Sequence, residues 1–396
     1  MHERADLPLH VALVTETYPP EVNGVALTVA RLVDGLRQRD LRVQVIRPRQ
    51  GRLDDPGQGE LLIPGLPIPG YPGLRFGLPA HRSLRRQWLR DPPDVVHVAT
   101  EGPLGAAAVG AARSLHLPVS SGFHTNFRAY SRHYRLGWLK SLVGGHLRRF
   151  HNRTDLTLAP TARLARELRA DGYRNVDILA RGVDTHVFNP AQRSADLRDS
   201  WGVGPEDLVV AYVGRIAAEK NLGLVTRTFA AIVAQRPDAR LLFVGDGPLL
   251  DSLRRRHPNH IYAGLRRGED LAAHYASADL FLFPSLTETF GNVVPEALAS
   301  GLGVIAFDCA AAADLIEPGR NGITAPPGND DAFIAAASRL AMDGDELARI
   351  RATASASVAH MEWSRIQERF ALVLAEVAAT HRGRKDRERG LVLASD

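Results

Sequence analysis

The protein has 396 residues, a mass of 43.1 kDa and a formal charge of +5, with 45% hydrophobic and 23% charged positions. This composition is typical of globular proteins and excludes extensive disorder and collagen-like repeats, and at roughly 150 residues per domain the length predicts two or three domains. The single cysteine, Cys309, excludes an intramolecular disulfide and a cysteine-based zinc or iron–sulfur site, which favours a reducing compartment.

The start of the chain carries the charged residues Glu3, Arg4 and Asp6 directly before a short apolar run. This pattern is unlike a signal peptide or a transit peptide. No later window approaches the roughly eighteen uninterrupted apolar residues that a membrane-spanning helix needs. We therefore expect a cytoplasmic protein that does not span a membrane.

The first strand–turn–helix unit is predicted at the start of the chain. Residues 10–15 are an apolar run, residues 18–25 are a turn rich in proline and glycine, and apolar residues then recur at helical spacing from Ala26 to Leu36. A second unit of the same kind begins with the apolar run 208–213. The architecture is therefore expected to restart in the second half of the chain.

Between these units lie further apolar runs of strand length, alternating with helical patterns. Parallel strands that are buried on both faces have this continuous apolar character. The sequence therefore predicts an α/β fold with two Rossmann-like, doubly wound domains. The additional predicted strands are residues 43–46, 95–98, 241–244, 280–283 and 303–307.

A turn-rich and then polar stretch, residues 182–202, marks the predicted boundary between the domains. The first domain is predicted at 1–190 and the second at 191–365. A terminal helix, 366–380, is expected to return to the first domain, and the charge run 381–396 is expected to be a solvated or disordered tail.

One segment near the start of the chain is unusually rich in proline. Seven prolines lie between Pro48 and Ser83. Because proline interrupts helices and central strands, we predict a long surface loop there rather than regular structure. Loops of this kind often carry function.

Positive charge is concentrated in the first half of the chain. Residues 1–190 carry 26 basic and 17 acidic side chains, whereas 191–396 carry 23 and 27. A mixture of basic and aromatic residues suits an anionic bilayer surface, although nucleic acid could also select it. We predict membrane contact through Arg128–Phe150 and no nucleic-acid partner. A solvated helical face is the alternative interpretation. The basic residues of this stretch are Arg128, Arg132, Arg135, Lys140, Arg148 and Arg149.

The passage 284–301 follows a predicted strand, so it is expected at the carboxyl edge of a sheet, where open α/β folds bind ligands. The backbone amides of Phe290–Asn292 precede a helical pattern and suit a phosphate, with Asn292 as the predicted N-cap. Glu288 and Glu296 can both face one ligand, and paired carboxylates can bind sugar hydroxyls. Alternatively, Glu296 interacts with the helix dipole and Glu288 is solvated.

Two cationic residues follow the strand predicted at 208–213. Arg215 offers a planar fork for phosphate oxygens, and Lys220 is one of only three lysines in the chain. Their position after a strand predicts an anionic ligand. The pair Asp343 and Asp345 precedes a helical pattern and is explained by capping, so we predict no metal site there.

Taken in order, these motifs resemble the family 4 glycosyltransferases, which are retaining nucleotide-sugar enzymes of the GT-B fold. The resemblance runs from about His10 to about Ala378 and is greatest to bacterial GDP-mannose-dependent mannosyltransferases and sulfolipid-synthase-like lipid glycosyltransferases. One departure is at Ala310 and Ala311, where many relatives have a glycine pair. The motifs are Tyr18–Val25, Gly122–Asn126, Gly182–Asp184, Gly214 and Arg215 with Lys220, Gly245–Gly247, and the pair Glu288 and Glu296.

The resemblance implies two domains that face each other across a deep cleft, the first binding the acceptor and the second the nucleotide sugar. Arg215 and Lys220 would hold the donor diphosphate, assisted by the backbone amides of Phe290, Gly291 and Asn292.

The resemblance also implies roles for four further residues. Glu296 would bind the ribose, and Glu288 would contact the hydroxyls of the transferred sugar. His124 would lie beside the sugar and the acceptor, and Gly24 would let the first turn approach the phosphates closely. The implied catalytic residues are His124, Glu288, Arg215 and Lys220.

The implied reaction moves a mannose- or glucose-type hexose from a GDP-sugar or UDP-sugar to a hydroxyl acceptor, by front-face displacement and without a metal or other cofactor. A membrane lipid is the expected acceptor, which would place the protein on the inner face of the cytoplasmic membrane. A polysaccharide or small-molecule acceptor, a nucleotide-sugar epimerase or hydrolase, and a non-enzymatic sugar-nucleotide binding protein are the alternatives. A dehydrogenase is disfavoured because no turn contains the third glycine of the dinucleotide fingerprint.

Overall fold

The computed structural model describes residues 8–21, 23–51, 53–67, 75–124 and 137–393, with the backbone alone for 137–142 and 384–393. Within these ranges the chain divides into two compact units. The first unit contains the described residues up to Ala180 together with those from Ser364 onward, and the second contains Arg181–Trp363. The chain thus leaves the first unit at residue 180, beside the predicted boundary at 182–202.

The strands are β1 (His10–Val14), β2 (Arg42–Pro48), β3 (Glu60–Ile63), β4 (Gly65–Pro67), β5 (Arg75–Gly77), β6 (Val95–Val98), β7 (Val119–Gly122), β8 (Leu156–Ala159), β9 (Val176–Ile178), β10 (Val209–Val213), β11 (Arg240–Val244), β12 (Ile261–Gly264), β13 (Leu280–Phe283), β14 (Gly303–Phe307) and β15 (Gly322–Ala325). In the first unit they form a parallel sheet of order β3-β2-β1-β6-β7-β8-β9, with β4 and β5 as a separate antiparallel pair. In the second unit they form a parallel sheet of order β12-β11-β10-β13-β14-β15.

Helices connect most of the strands. The helices are α1 (Gly24–Arg37), α2 (His81–Arg90), α3 (Pro103–Ser114), α4 (Gly137–His151), α5 (Ala162–Ala170), α6 (Ala195–Ser200), α7 (Leu222–Val233), α8 (Leu250–Arg256), α9 (Gly268–Ala276), α10 (Val293–Ala299), α11 (Ala310–Leu315), α12 (Asp330–Met342), α13 (Gly344–Ser357) and α14 (Trp363–Leu393). None of the helices in the described ranges is both long and apolar enough to cross a bilayer.

The central strands are buried on both faces, as their apolar sequences predict. Every residue of β1 and of β10 is buried. The apolar runs predicted as strands are all confirmed, and so is the α/β fold class with two Rossmann-like parallel sheets.

Helix α1 begins at a side-chain cap, and helix α14 packs on the same unit. The side chain of Asn23 accepts hydrogen bonds from the amides of Val25 and Ala26. From α14, Gln367 Nε2 donates to the carbonyl of Arg31 at 2.8 Å. These contacts attach the last helix of the chain to the first unit.

At the amino end of β13, one aspartate forms ion pairs with three arginines. The carboxylate of Asp279 lies 3.0 Å from Arg193, 3.4 Å from Arg198 and 2.9 Å from Arg351, and it accepts a hydrogen bond from the amide of Val209 at 2.9 Å. Since the group is largely buried, its charges are satisfied within the protein. The cluster ties the segment before β10 and the helix α13 to the sheet.

One sequence-based prediction of irregular structure was wrong. The proline-rich segment 48–83 contains the short strands β3, β4 and β5 as well as the start of α2. The charge run that begins at residue 381 continues the backbone of α14 as a helix through Leu393, and its exposure to solvent stays a prediction because its side chains from residue 384 are not described.

Candidate active site

The site residues of the second unit lie at the carboxyl ends of neighbouring strands. Strands β10 and β13 are adjacent and parallel, so the loops that follow them leave the sheet at the same edge. Lys220 follows β10 and Glu288 follows β13. The topology therefore brings together two residues that are separated by 68 positions in sequence.

Lys220 and Glu288 form an ion pair. The Nζ of Lys220 donates to Oε1 of Glu288, and the hydroxyl of Ser285 donates to the same oxygen at 2.7 Å. The side chains of Lys220 and Glu288 are 17% and 15% exposed, so both remain accessible to a ligand. The pair brings a cation for phosphate and a carboxylate for hydroxyl groups into direct contact.

Arg215 is the more exposed cation of this edge, with half of its side chain open to solvent. Its Nη1 lies 3.5 Å from Oε1 of Glu219, four residues later in the same loop. Because an exposed ion pair of this length contributes little stability, the guanidinium can change partners at small cost.

The loop before α10 needs glycine at one position. Gly291 has a φ of +89°, a left-handed conformation that other residues rarely adopt. This turn places Phe290 in the core and leaves Asn292 half-buried at the start of α10. The short loop therefore positions the backbone amides that precede the helix.

The prediction that Asn292 caps α10 with its side chain was wrong. Asn292 has helical backbone angles and makes no side-chain cap hydrogen bond. Instead, its Oδ1 accepts from Nη1 of Arg181 at 3.2 Å. A side chain with helical backbone angles points away from the amides that an N-cap serves, which leaves it available to Arg181.

Glu296, in the first turn of α10, is paired with a tyrosine. The hydroxyl of Tyr275 donates to Oε2 of Glu296 at 3.0 Å. Burial raises the pKa of Glu296 to about 7, and the hydrogen bond from Tyr275 opposes that rise. The carboxyl group therefore changes charge near neutral pH.

Two backbone segments touch at the Gly245–Gly247 motif. A Cβ atom at Gly245 would lie 2.0 Å from the carbonyl oxygen of Gly214, and one at Gly247 would lie 2.4 Å from that of Ile216. No side chain fits at either position. The motif therefore lets the loop after β11 pack against the loop that carries Arg215.

A recess adjoins Glu288 and Phe290, and the chain's single cysteine lines it. Cys309 and Ala310 form the far wall. Ala310 has a φ of +50°, a left-handed conformation that glycine adopts more easily, so alanine is accommodated here with backbone strain.

Gly24 and His124 belong to the first unit. Gly24 is the exposed first residue of α1, directly after the capping residue Asn23. The half-buried His124 follows β7, and its ring lies against Gly122, where a Cβ atom would be 2.5 Å from Nε2. Glycine at 122 therefore sets the position of the imidazole. Part of the Gly122–Asn126 motif, from residue 125, lies outside the described residues.

A buried network of polar side chains at the end of β7 was not predicted. The Nδ1 of His151 lies 2.9 Å from the Ser121 hydroxyl, and its Nε2 lies 3.2 Å from Oε1 of Glu101. These residues lie far apart in sequence and match no spacing rule, so the sequence contains no signal for them. These hydrogen bonds hold the end of β7, and His124 follows that strand two residues later.

The predicted membrane contact lies mostly outside the described residues. Of the stretch Arg128–Phe150, residues up to 136 are not described and 137–142 are described only as backbone. Its last part is the end of α4, where Arg148 and Arg149 are exposed and Phe150 is buried.

Asp343 caps a helix, as predicted, because its side chain accepts a hydrogen bond from the amide of Glu346 at 2.8 Å. Across the described ranges, no three histidine, cysteine, aspartate or glutamate side chains are arranged to hold a metal ion.

Two family models match the chain, one in each half. Residues 22–187 match the family described as Glycosyltransferase Family 4, and residues 207–343 match Glycosyl transferases group 1. The two matches together include every strand of the two parallel sheets except β1.

Two relatives and one solved structure illustrate the similarity. The GDP-mannose-dependent alpha-mannosyltransferase of Corynebacterium glutamicum is 32% identical, over 94% of this chain and 90% of the relative. The alpha-monoglucosyldiacylglycerol synthase of Acholeplasma laidlawii is 28% identical, over 80% of this chain and 84% of the relative. The structure of Anabaena HepE in complex with UDP has a TM-score of 0.74 at 18% identity and covers 93% of this chain and all of HepE.

Proposed function

Because this chain belongs to glycosyltransferase family 4, we propose that it transfers a hexose, of the mannose or glucose type, from a nucleoside-diphosphate sugar to a hydroxyl acceptor with retention of configuration. The chain is a glycosyltransferase with the GT-B fold class of two parallel α/β sheets. The type of hexose, the hydroxyl acceptor and the retention of configuration are the parts that the proposal adds.

The contact between Lys220 and Glu288 carries the proposal. It places a compact positive charge and a hydroxyl-binding carboxylate at one edge of the second sheet, with Arg215 in the same loop as the lysine. A nucleotide sugar presents that combination of groups, since its diphosphate is joined directly to a polyol. The amides before α10 extend the same edge.

In the proposed reaction, Arg215 and Lys220 bind the two phosphates and stabilise the negative charge that develops as the diphosphate leaves. The acceptor hydroxyl attacks the anomeric carbon from the face of the leaving group and gives its proton to a departing phosphate oxygen. Glu288 orients the sugar through its hydroxyls, and Glu296 binds the ribose. No metal is needed, because the two cationic side chains balance the leaving-group charge.

We also propose that the acceptor is a membrane lipid, presented at an anionic surface. The name of the Acholeplasma relative contains a diacylglycerol, which supports a lipid acceptor for this chain. Helix α2 adds a structural reason. One face buries Leu84 and Trp88, and the other exposes four arginines and Leu89, with no acidic residue in the helix.

The basic face of α2 consists of Arg82, Arg85, Arg86 and Arg90. Among the described residues none of the four has a carboxylate partner, so their charges are available to anionic headgroups. At roughly 1 kcal/mol per basic residue near such a surface, the face would contribute about 4 kcal/mol of binding free energy. This is comparable to a thousandfold increase in membrane affinity.

Donor binding is tested by thermal unfolding with GDP, UDP, GDP-mannose and UDP-glucose. A donor at about 100 times its dissociation constant should stabilise the protein by about 2.7 kcal/mol. A second measurement uses Cys309, the one thiol of the chain, which lines the recess beside Glu288. The same donor should slow its alkylation. If no nucleotide sugar stabilises the protein or protects the thiol, the proposal is wrong.

Membrane binding is tested by flotation with phosphatidylcholine vesicles that contain or lack phosphatidylglycerol. We expect binding only to the anionic vesicles, and replacement of Arg82, Arg85 and Arg86 by glutamine should abolish most of it. The matched control replaces three arginines at the end of α8 by glutamine, Arg254 through Arg256, and should float as the unchanged protein does. Equal losses in both variants would indicate a nonspecific charge effect and contradict a role for α2.

A further inference from the structure

Arg181 is the first residue of the second unit, and its backbone is held in place by the returning chain. The amide of Val183 donates to the carbonyl of Met361 at 2.9 Å, and Gly182 lies under the ring of Trp363, where a Cβ atom would be 2.5 Å from Cδ2. The strict packing at Gly182 fixes the point from which the Arg181 side chain extends.

The side chain of Arg181 is buried against the loop that carries the donor-site residues. Its guanidinium carbon lies 5.7 Å from the centre of the Phe290 ring, and its Nη1 donates to Oδ1 of Asn292 at 3.2 Å. Burial lowers the pKa of Arg181 to about 10, and the charge of Glu288 opposes that lowering. The guanidinium therefore keeps its charge at neutral pH. Glu288 lies on the same turn, since a Cβ atom at Gly291, between Phe290 and Asn292, would be 3.4 Å from Cγ of Glu288.

Glu288 is in direct contact with one cation, Lys220. In the proposed function that lysine must bind the donor diphosphate, which carries a negative charge on each phosphate. Glu288 would then lose its contact partner at the moment when an anion arrives beside it. A second positive charge beside the carboxylate would offset its repulsion from the diphosphate and keep it in place to accept hydrogen bonds from the sugar.

We propose that Arg181 is a positioning residue that keeps Glu288 in its sugar-binding state by remaining as its counter-charge when Lys220 moves to the diphosphate. This inference rests on the proposed function. Phe290 and Asn292 hold the guanidinium so that it cannot follow the lysine to the phosphates. Arg181 thereby gives the site a fixed cation for the carboxylate and leaves Lys220 as the mobile cation for the donor.

The test compares the dissociation constants of a nucleoside diphosphate and its sugar, GDP with GDP-mannose and UDP with UDP-glucose, by calorimetry. The ratio of the two constants measures what the sugar adds to binding. For Arg181→Met we expect this ratio to fall about tenfold, equivalent to about 1.4 kcal/mol, because Glu288 loses its counter-charge. Arg181→Lys should recover most of the ratio, since it restores the charge without the guanidinium shape.

The control is Arg227→Gln, which removes an exposed arginine that is paired with Asp330 on the same unit and should leave the ratio unchanged. If Arg181→Met does not fold, Arg181→Gln keeps a hydrogen-bond donor for Asn292 without the charge and provides the same comparison. An unchanged ratio in a folded, uncharged variant overturns the inference, and so does a loss that Arg181→Lys fails to restore. If the unchanged protein binds none of the four ligands, the proposed function itself has failed.

Discussion

From the ionisation of Glu296 we predict how both the stability of the protein and its affinity for the donor depend on pH. Burial raises the pKa of this carboxyl group in the folded protein from its ordinary value of 4.5 to about 7. The folded state therefore binds the proton more tightly than the unfolded state between these two values. The contribution of the protonated Glu296 carboxyl group to the unfolding free energy is complete below pH 4.5. It is lost as the pH rises to about 7 and stays constant above that pH.

The size of this effect follows from the pKa difference. At 1.36 kcal/mol per pH unit, the full difference corresponds to about 3 kcal/mol. Because the side chain of Glu296 is only half-buried, solvent reduces the figure, and we take about 2 kcal/mol. Replacing Glu296 by glutamine removes the ionisation and still accepts the hydrogen bond from Tyr275. The variant should therefore be more stable than the unchanged protein at pH 8 and nearly equal to it at pH 5.

The assay is thermal unfolding between pH 5 and pH 9, without ligand. For a unit of this size each kcal/mol moves Tm by about 2–4 °C, so Glu296→Gln should raise Tm by about 4–8 °C at pH 8. The control is Glu269→Gln, an exposed carboxylate in the first turn of α9, whose Tm should follow that of the unchanged protein. Equal Tm values for Glu296→Gln and the unchanged protein across this range would refute the reasoning.

Donor affinity should increase with pH, whereas the stability of the protein without ligand decreases. A ribose hydroxyl donates its hydrogen bond to the ionised carboxylate, so the donor favours the form of Glu296 that the empty protein disfavours. With a pKa of about 7, roughly one tenth of the groups are ionised at pH 6, and donor affinity should be about tenfold weaker there than at pH 8. Glu296→Gln should bind the donor more weakly at pH 8 and lose this pH dependence, as measured by calorimetry.

Two further predictions concern the leaving-group cation and the strained residue beside the recess. Lys220→Ala should lower turnover by about 10²- to 10³-fold, the usual cost of one such charge-stabilising donor, and unchanged turnover in the folded variant would contradict the role of the lysine. Ala310→Gly should raise the unfolding free energy by about 0.5–1 kcal/mol, because relief of the left-handed strain exceeds the added entropy of the unfolded chain. Denaturant unfolding checks this, with Ala313→Gly in the same helix as the control, which should instead lose up to about 1 kcal/mol.

The sequence predicted the buried strands well because a continuous apolar run of strand length has one common structural cause. Runs such as 208–213 are apolar throughout because both faces of a parallel strand are covered, and this leaves a direct mark in composition. The position of Lys220 and Glu288 at the same edge also follows from local signals, since each comes directly after such a run. The proline-rich segment failed this rule because short peripheral strands such as β4 tolerate a proline that a central strand would not.

The prediction for Asn292 failed because a local rule competed with a distant partner. Asparagine before a helical pattern usually caps that helix, and nothing nearby argued otherwise. The residue that binds it, Arg181, lies 111 positions earlier in the chain. Only the fold brings the two together, so no spacing within the helix could have indicated the contact.

The burial of Arg181 and its place beside the donor-site loop could not have been predicted from the sequence. Arginine is rarely buried, and in a chain with 46 arginines each one is expected at the surface. Burial of this one is tolerated because a single loop of the second unit supplies the ring of Phe290, the amide oxygen of Asn292 and the charge of Glu288. A charge that costs this much to bury is hard to justify by packing alone, because an apolar side chain of similar volume would fill the space at lower cost. Its retention is explained if the site needs a cation that stays with Glu288 while Lys220 binds and releases the diphosphate.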